Sequence, residues 1–233
     1  MKHIIVLPDG TEISSGAGTV NAIKRASYSA SVNSGMELAP GSVCAATFDV
    51  SIISPGGGMQ IQEGTELTVF FEGESGERSQ IGLFPTQKPT RTSANMYRLQ
   101  AYDRTVWLDR DISTFIDNLT EWPYALYDLA VLVLKECNLT LRNSSIPNGS
   151  YAVQKFISTG LTGRILMQKI GEACCRFGRI TPDGDFEFSW YKESDTIIEP
   201  KDIVRNSLAY EDYATHVTET VRIQQTEDDI GVS

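Results

Sequence analysis

The apolar residues of this chain change period near residue 120, and that change constrains the fold more than any motif. In "VCAATFDVSII", Cys44, Ala46, Phe48, Val50 and Ile52 take every second position, with Thr47, Asp49 and Ser51 between them. Successive side chains of a strand point to opposite faces, so this run reads as a strand with one face buried. In "YALYDLAVLVLKECN", Leu126, Leu129, Ala130, Val133 and Cys137 recur at steps of three and four. That spacing lines one side of a helix. The fold class expected is therefore α+β, mainly β.

The first half carries further strand signals. "IIVL" and "TEI" flank Pro8-Asp9-Gly10, where Pro fixes φ and Gly accepts a positive φ. A longer strand is expected over Val20–Val32, with a bulge or bend where its apolar phase slips at Lys24–Arg25. "ELTVFF" puts Leu67, Val69 and Phe71 on one face; "QIGLF" stops at Pro85; "NMYRLQAYD" alternates Tyr97, Leu99 and Ala101 with Arg98 and Gln100. Short strands separated by Gly/Pro turns predict a small antiparallel barrel or sandwich. The run Pro55-Gly56-Gly57-Gly58 lacks the Gly-Lys-Ser/Thr of a phosphate loop and reads as loop punctuation.

In the second half, Pro123 suits the first turn of the first helix and Asn138 its exit. Thr162 is placed to cap a second helix, with a stripe of Ile165, Leu166, Ile170, Ala173, Cys174 and Phe177. "LTL" and "YAVQKF" read as short strands between them. "RFGRIT" and "DFEFSWY" flank Pro182-Asp183-Gly184 as a hairpin, with Phe186, Phe188 and Trp190 on one face. Alternation explains Asp185 and Glu187, and the turn explains Asp183, so no calcium loop is needed.

A net charge of −10 argues against a protein whose main task is gripping nucleic acid, which needs clustered Lys and Arg. The acidity is uneven: residues 192–233 carry ten acids and four bases, a net of −6, while residues 119–191 carry seven of each. An acidic segment is ordinarily a solvated one; the alternative is a surface that repels a polyanion. Cys44, Cys137, Cys174 and Cys175 include no C-x-x-C pair and lie in apolar settings, which suits buried free thiols in a reducing compartment. On a helix, Cys174 and Cys175 point about 100° apart and do not converge. The apolar run of "MKHIIVLPDGTE" is shorter than a signal peptide needs, and no stretch reaches transmembrane length.

Catalytic chemistry finds few candidates. His3 and His216 sit in strand-like runs without an evident orienting partner, and neither H-E-x-x-H nor G-x-S-x-G occurs. Asp103, Asp109 and Asp111 in "AYDRTVWLDRD" are the best carboxylates for a hydrolase. The competing reading makes them ion-pair and helix-cap residues that fix the junction from strand to helix. On that reading the chain has no catalytic, cofactor-binding or metal-binding residues and is not an enzyme.

Three features together resemble a known family. They are the Ala101-Tyr102-Asp103 strand end leading to a helix, Gly163-Arg164 opening the second helix, and the Asp183-Gly184 hairpin with alternating aromatics. This order is similar to bacteriophage and prophage tail proteins of the baseplate hub group, related to the late-control protein and to hubs of contractile injection machines. The resemblance implies two similar barrels joined by a small α/β insertion. It implies three copies in a ring between tail tube and central spike, in a virion tail assembled in the host cytoplasm. Its partners would be the tube, spike and baseplate proteins, with no membrane and no sequence-specific nucleic acid. DNA would pass through the ring, and an acidic lumen would keep it from sticking. The corresponding divisions are an N-terminal β-barrel at 1–117, an α/β insertion at 118–192, and the start of a second barrel at 193–233. The expectation follows that the chain is part of a longer hub, or that its second barrel lies on another chain. Trp107, Leu108, Trp122, Ile165, Ile170, Phe186, Phe188 and Trp190 are then packing residues. A cell-wall-directed hydrolase or carbohydrate-binding domain, and a protein-binding barrel with an open edge strand, are the alternatives.

Overall fold

The computed structural model describes residues 2–15, 22–33, 39–54, 61–73 and 75–191. The glycine triple after Pro55, His216, the acidic end and the expected second barrel all lie outside the described residues. The first part is one eight-stranded sheet: β1 (Lys2–Val6), β2 (Glu12–Ser14), β3 (Ala22–Ser29), β4 (Thr47–Ile53), β5 (Glu66–Glu72), β6 (Arg78–Pro85), β7 (Thr90–Ser93) and β8 (Met96–Tyr102). The strands run in the order β6-β5-β1-β2-β3-β4-β8-β7. The ladders are antiparallel, except for a single parallel pairing of β2 with β3 at Ser14 and Ala22.

Local chemistry sets these elements. Between β1 and β2, Gly10 takes φ +83°, and the Asp9 side chain accepts a hydrogen bond from the Thr11 amide at 2.9 Å. Only a residue tolerant of positive φ turns the chain there. The β3–β4 register shifts between Ile23 and Arg25, so the expected bulge is present. On β4, Phe48, Val50 and Ile52 are buried and their neighbours are not, as the alternation requires. The strand missed by pattern is β7, whose four residues are all exposed and carry no apolar signal.

The sheet curls on itself. Phe48 on β4 and Phe84 on β6 meet with ring centroids 5.5 Å apart, and Tyr28 on β3 meets Phe84 at 6.0 Å. In a flat sheet β4 and β6, five strand steps apart, would be separated by about 24 Å. Curling gathers Ile5, Ile13, Phe48, Val50, Ile52, Leu67, Val69, Phe84 and Leu99 into one buried cluster. Just past β6, Thr86 bridges Ala101 of β8, and the Gln87 amide donates to the Gln100 carbonyl at 2.7 Å. The structure therefore gives a curled, mainly antiparallel sheet where a barrel was expected; its ladders run in an open order from β6 to β7.

A second buried cluster forms around the helices. After β8 come a 3-10 turn (Arg104–Asp109), α1 (Ser113–Asp117), β9 (Tyr124–Ala125), α2 (Leu126–Glu136), β10 (Ala152–Val153), α3 (Gly163–Cys174), β11 (Phe177–Ile180) and β12 (Phe186–Ser189). The predicted stripe of α2, Leu126, Leu129, Ala130, Val133 and Cys137, is buried. Asn138 ends this helix at φ +58°, its amide bonded to the Lys135 carbonyl and the Leu139 amide to the Leu134 carbonyl. That pair of bonds satisfies carbonyls the helix would otherwise leave open. Pro123 is not in the helix: a cis Trp122–Pro123 bond and β9 precede it, and β9 pairs with β10.

The hairpin β11–β12 forms as expected, with Gly184 at φ +91° in its turn. It extends on both sides. The loop before β4 bridges β11 at Val43 and Gly178, and "LTL" bridges β12 at Leu141 and Phe186. Three expected packing positions need correction. Ile165 is 43% exposed and Ala173 is exposed, because the buried side of α3 runs through Gly163, Leu166, Met167, Ile170, Gly171 and Cys174. Glycine at 163 and 171 carries no hydrophobic signal, which rotates the apparent stripe. Trp190 lies beyond β12 and is 39% exposed, yet it stacks on Phe177 at 5.0 Å with planes 8° apart. Residues 108, 112 and 116 also join this second cluster.

Phe188 is buried and meets Phe186 edge to face at 5.1 Å. Phe188→Ala is expected to cost about 3–5 kcal/mol. In thermal unfolding followed by circular dichroism, the midpoint should fall by roughly 6–20 °C. A shift of a degree or two would show that this ring carries no core.

Candidate functional site

The junction at 103–111 is where the sequence places its carboxylates, and the structure gives each a partner. Asp103 follows β8 and is 6% exposed. One of its oxygens accepts from the Ala46 amide at 3.0 Å, the other from the Thr105 amide at 3.0 Å. The Asp103 amide in turn donates to the Ala46 carbonyl at 2.9 Å. The side chain thus caps the 3-10 turn and ties it to the start of β4. Burial pushes its carboxyl above the ordinary aspartate range, opposed by the Thr105 and Ala46 hydrogen bonds and the charge of Arg164.

Asp109 is held by Arg164, through Nε at 2.6 Å and Nη2 at 3.0 Å. The same guanidinium donates to the Val43 carbonyl at 2.7 Å and the Thr105 carbonyl at 3.1 Å. Asp111 accepts from the Ser113 amide at 2.8 Å, at the start of α1; the Ser113 hydroxyl first and its amide second hold the Asp111 carboxyl below the usual range. Residues 110–112 pair with 161–163, through the Ile112 amide to the Leu161 carbonyl and the Gly163 amide to the Arg110 carbonyl. That pairing delivers Arg164 to Asp109. Arg104 forks onto Glu66 with both bonds at 2.7 Å and lies 4.9 Å over the Trp107 ring.

The aspartates are therefore not brought together as an acid pair facing a cleft; each carboxylate is occupied by protein donors. His3 is half-buried and packs edge to face with Phe71 at 5.7 Å. All four cysteines are free; Cys174 is buried, its thiol pushed up to about 11 by desolvation. Cys175 is exposed and leaves α3 at φ +54°, so the two neighbours face different surroundings. Among the described residues no group of three His, Cys, Asp or Glu could hold a metal ion. Among them, too, no helix is long and apolar enough to cross a membrane.

Clefts open elsewhere among the described residues. An apolar one of about 300 Å³ runs between α2 and α3, lined by Leu126, Leu129, Phe156, Leu166 and Ile170 among others. A polar one of about 310 Å³ opens on the sheet, lined by Arg25, Ser27, Asp49, Ser51 and Arg98. Sequence reasoning assigned neither. Its strand patterns put Asp49, Ser51 and Arg98 on polar faces, but only the pairing register shows that they share one.

A curled, mainly antiparallel sheet followed by a small helical layer and a hairpin is the class of fold the chain adopts. No family model and no curated protein matches it. Among solved structures it is similar to the 43 kDa tail protein of prophage MuSo2 from Shewanella oneidensis. That match has 12% identity and a TM-score of 0.52, covering 81% of this chain and 54% of that one. It is also similar to the tail protein from Neisseria meningitidis MC58, at 13% identity and TM-score 0.51, covering 80% of this chain and 49% of that one. These two matches show a shared fold. The chain spans about half the length of the tail proteins it matches.

Two expectations follow from the junction. Lys at 164 keeps the charge but cannot form the planar fork. Arg164→Lys should lower stability by about 1–3 kcal/mol, read as a lower urea midpoint. An unchanged midpoint would mean the fork carries no weight. The second concerns pH. A folded-state pKa raised above the unfolded value means the folded protein holds the proton more tightly, so Asp103 contributes stability at low pH that is lost as pH rises through that raised pKa. The stability of the natural protein relative to Asp103→Asn should therefore grow as pH is lowered from 7 toward 4, in urea titrations across that range. A difference that shrinks would reverse the assignment.

Proposed function

We propose that this chain is a non-enzymatic structural component of a phage or prophage tail, acting as a baseplate hub between tail tube and central spike. The observation that carries the proposal is the fold shared with two tail proteins over about four-fifths of the chain. The finer features follow the same reading. The curled sheet is the first barrel, and the bridge from Thr86 to Ala101 supports its closure. The match covers about half of each tail protein, which accords with a second barrel outside the matched part. Three copies form the ring, and its neighbours are other tail proteins of the virion.

The absence of catalysis is part of the proposal and is supported by how the carboxylates are used. Asp103, Asp109 and Asp111 accept bonds from backbone amides and a guanidinium, which leaves them fixed as structural acceptors. The test is to delete the coding segment from an inducible prophage and examine particles by electron microscopy. Tails lacking a baseplate, restored by the natural chain, are the expected result, and normal infectious tails would overturn it. A peptidoglycan-release assay on the purified chain should show no activity. Release that disappears in Asp103→Asn with the fold retained would make the chain a cell-wall hydrolase instead.

A further inference from the structure

The polar cleft on the sheet is built by register. Arg25 of β3 faces Ser51 of β4, and Ser51 faces Arg98 of β8, so one cross-strand row reads Arg, Ser, Arg. The next row places Ser27 against Asp49. Strands lie about 4.8 Å apart, which sets the two arginine backbones roughly 10 Å from each other with a hydroxyl between. The bulge in β3 is what brings Arg25 here. In an unbroken ladder Lys24 would pair with Ser51, and Arg25 would fall opposite Val50 and point into the core.

The charges in the cleft are unequally engaged. Asp49 accepts from Arg98 through Nε at 2.9 Å and through Nη2, which fixes that guanidinium and pulls the Asp49 carboxyl down. Arg25 is near enough for its charge to act on Asp49, yet it makes no hydrogen bond or ion pair among the described residues. A carboxylate has about four acceptor positions, so Asp49 keeps capacity beyond the two Arg98 bonds. The cleft thus offers a guanidinium with all its donors open, a second one held in place, two hydroxyls and a spare acceptor.

We propose that this cleft binds an anionic sugar: a polyhydroxylated molecule bearing a carboxylate or phosphate. The oxyanion sits between Arg25 and Arg98, and the sugar hydroxyls donate to Asp49 and exchange bonds with Ser27 and Ser51. Three alternatives fit less well. A neutral sugar finds no aromatic to stack on among the described lining residues. A bare polyanion meets the Asp49 carboxylate and a chain of net charge −10. An acidic peptide brings several carboxylates up to Asp49, where a sugar with one anionic group brings a single one. The volume, about 310 Å³, is at the lower end for small-molecule sites and suits one sugar unit. This inference rests on the cleft alone and stands or falls independently of the tail assignment.

The test is calorimetric titration of the full chain at low salt with glucuronic acid, glucose 6-phosphate, glucose, inorganic phosphate and a hexaglutamate peptide. Both sugar acids should bind with a dissociation constant on the order of 1 mM, the scale for a ligand of this size. Glucose should bind at least about tenfold more weakly, since it lacks the charge-assisted bonds. Arg25→Gln, with native circular dichroism, should weaken the sugar acids about tenfold or more. Asp49→Asn should weaken glucose 6-phosphate relative to inorganic phosphate. A polygalacturonate oligosaccharide binding more tightly than the monomers would support the site and make a glycan the source. Tighter binding of the monomers would also support it and make a free metabolite the source. No heat from either sugar acid at about twentyfold that concentration overturns the proposal. So does glucose, phosphate or hexaglutamate binding as well as the sugar acids, or an Arg25→Gln variant that binds normally.

Discussion

One guanidinium holds the two halves of the described structure in register. Arg164 directs donors to Asp109, Val43 and Thr105, which come from the 3-10 turn and from the segment leading into β4. Its position is otherwise unfavourable. It sits in the first turn of α3, where the helix macrodipole disfavours a cation by roughly 0.3–1 kcal/mol. The helix gains nothing locally from an arginine there; the junction gains four hydrogen bonds. Gly163 beside it permits the approach, because a Cβ at that position would lie 3.0 Å from the Leu108 carbonyl. The adjacent Gly-Arg pair is thus one device: the glycine lets the helix start against the turn, and the arginine locks it there.

The same logic extends along α3 and to the sheet. Gly171 passes so near Gly41 that a Cβ on it would lie 2.9 Å from the Gly41 Cα. The Gly41 amide donates to the Arg176 carbonyl, and the Gly178 amide to the Ser42 carbonyl. The loop before β4 therefore runs against both α3 and β11. β4 continues from that loop into the middle of the curled sheet, so the helical layer and the sheet share one backbone segment. Two hydrophobic clusters, one inside the curled sheet and one around the helices, are joined by polar backbone bonds and arginine forks. The junction between them carries buried polar groups: the Asp103 carboxylate is paired with two backbone amides, while the buried Thr105 hydroxyl has no hydrogen-bond partner among the described residues.

The parts of this architecture that were legible in the sequence are those written in hydrophobic period. The alternation from Cys44 to Ile52 located β4, and the three-four spacing from Leu126 located α2. Turn chemistry located Gly10, Asn138 and Gly184, because positive φ has few residue choices. What was illegible had no apolar signal or needed pairing. β7 consists of Thr90, Arg91, Thr92 and Ser93, all exposed, and exists only because β8 offers it a ladder. The buried side of α3 was misaligned because glycines take part in it. Asp103, Asp109 and Asp111 were correctly suspected of caps and ion pairs, but the partners of Asp109 and Asp103 lie 55 and 57 residues away. The polar cleft was invisible for the same reason: Arg25, Asp49 and Arg98 are separated in sequence and meet only through register.

The contrast between the two arginine sites separates structure from recognition. At the junction, Arg164 is largely enclosed and every nitrogen has an oxygen partner. Four of its five N–H donors are spent on protein oxygens, and moving it would break all four bonds. On the sheet, Arg25 is exposed and its donors point to no acceptor among the described residues. Holding it beside Arg98 costs like-charge repulsion, relieved in part by the single negative charge of Asp49. The bulge that turns Arg25 outward also sets Ala26 and Tyr28 opposite Val50 and Phe48, on the side that packs inside the curled sheet. On the sheet a guanidinium is left without a protein acceptor among the described residues, whereas at the junction the carboxylates of residues 103, 109 and 111 are each bound by protein donors.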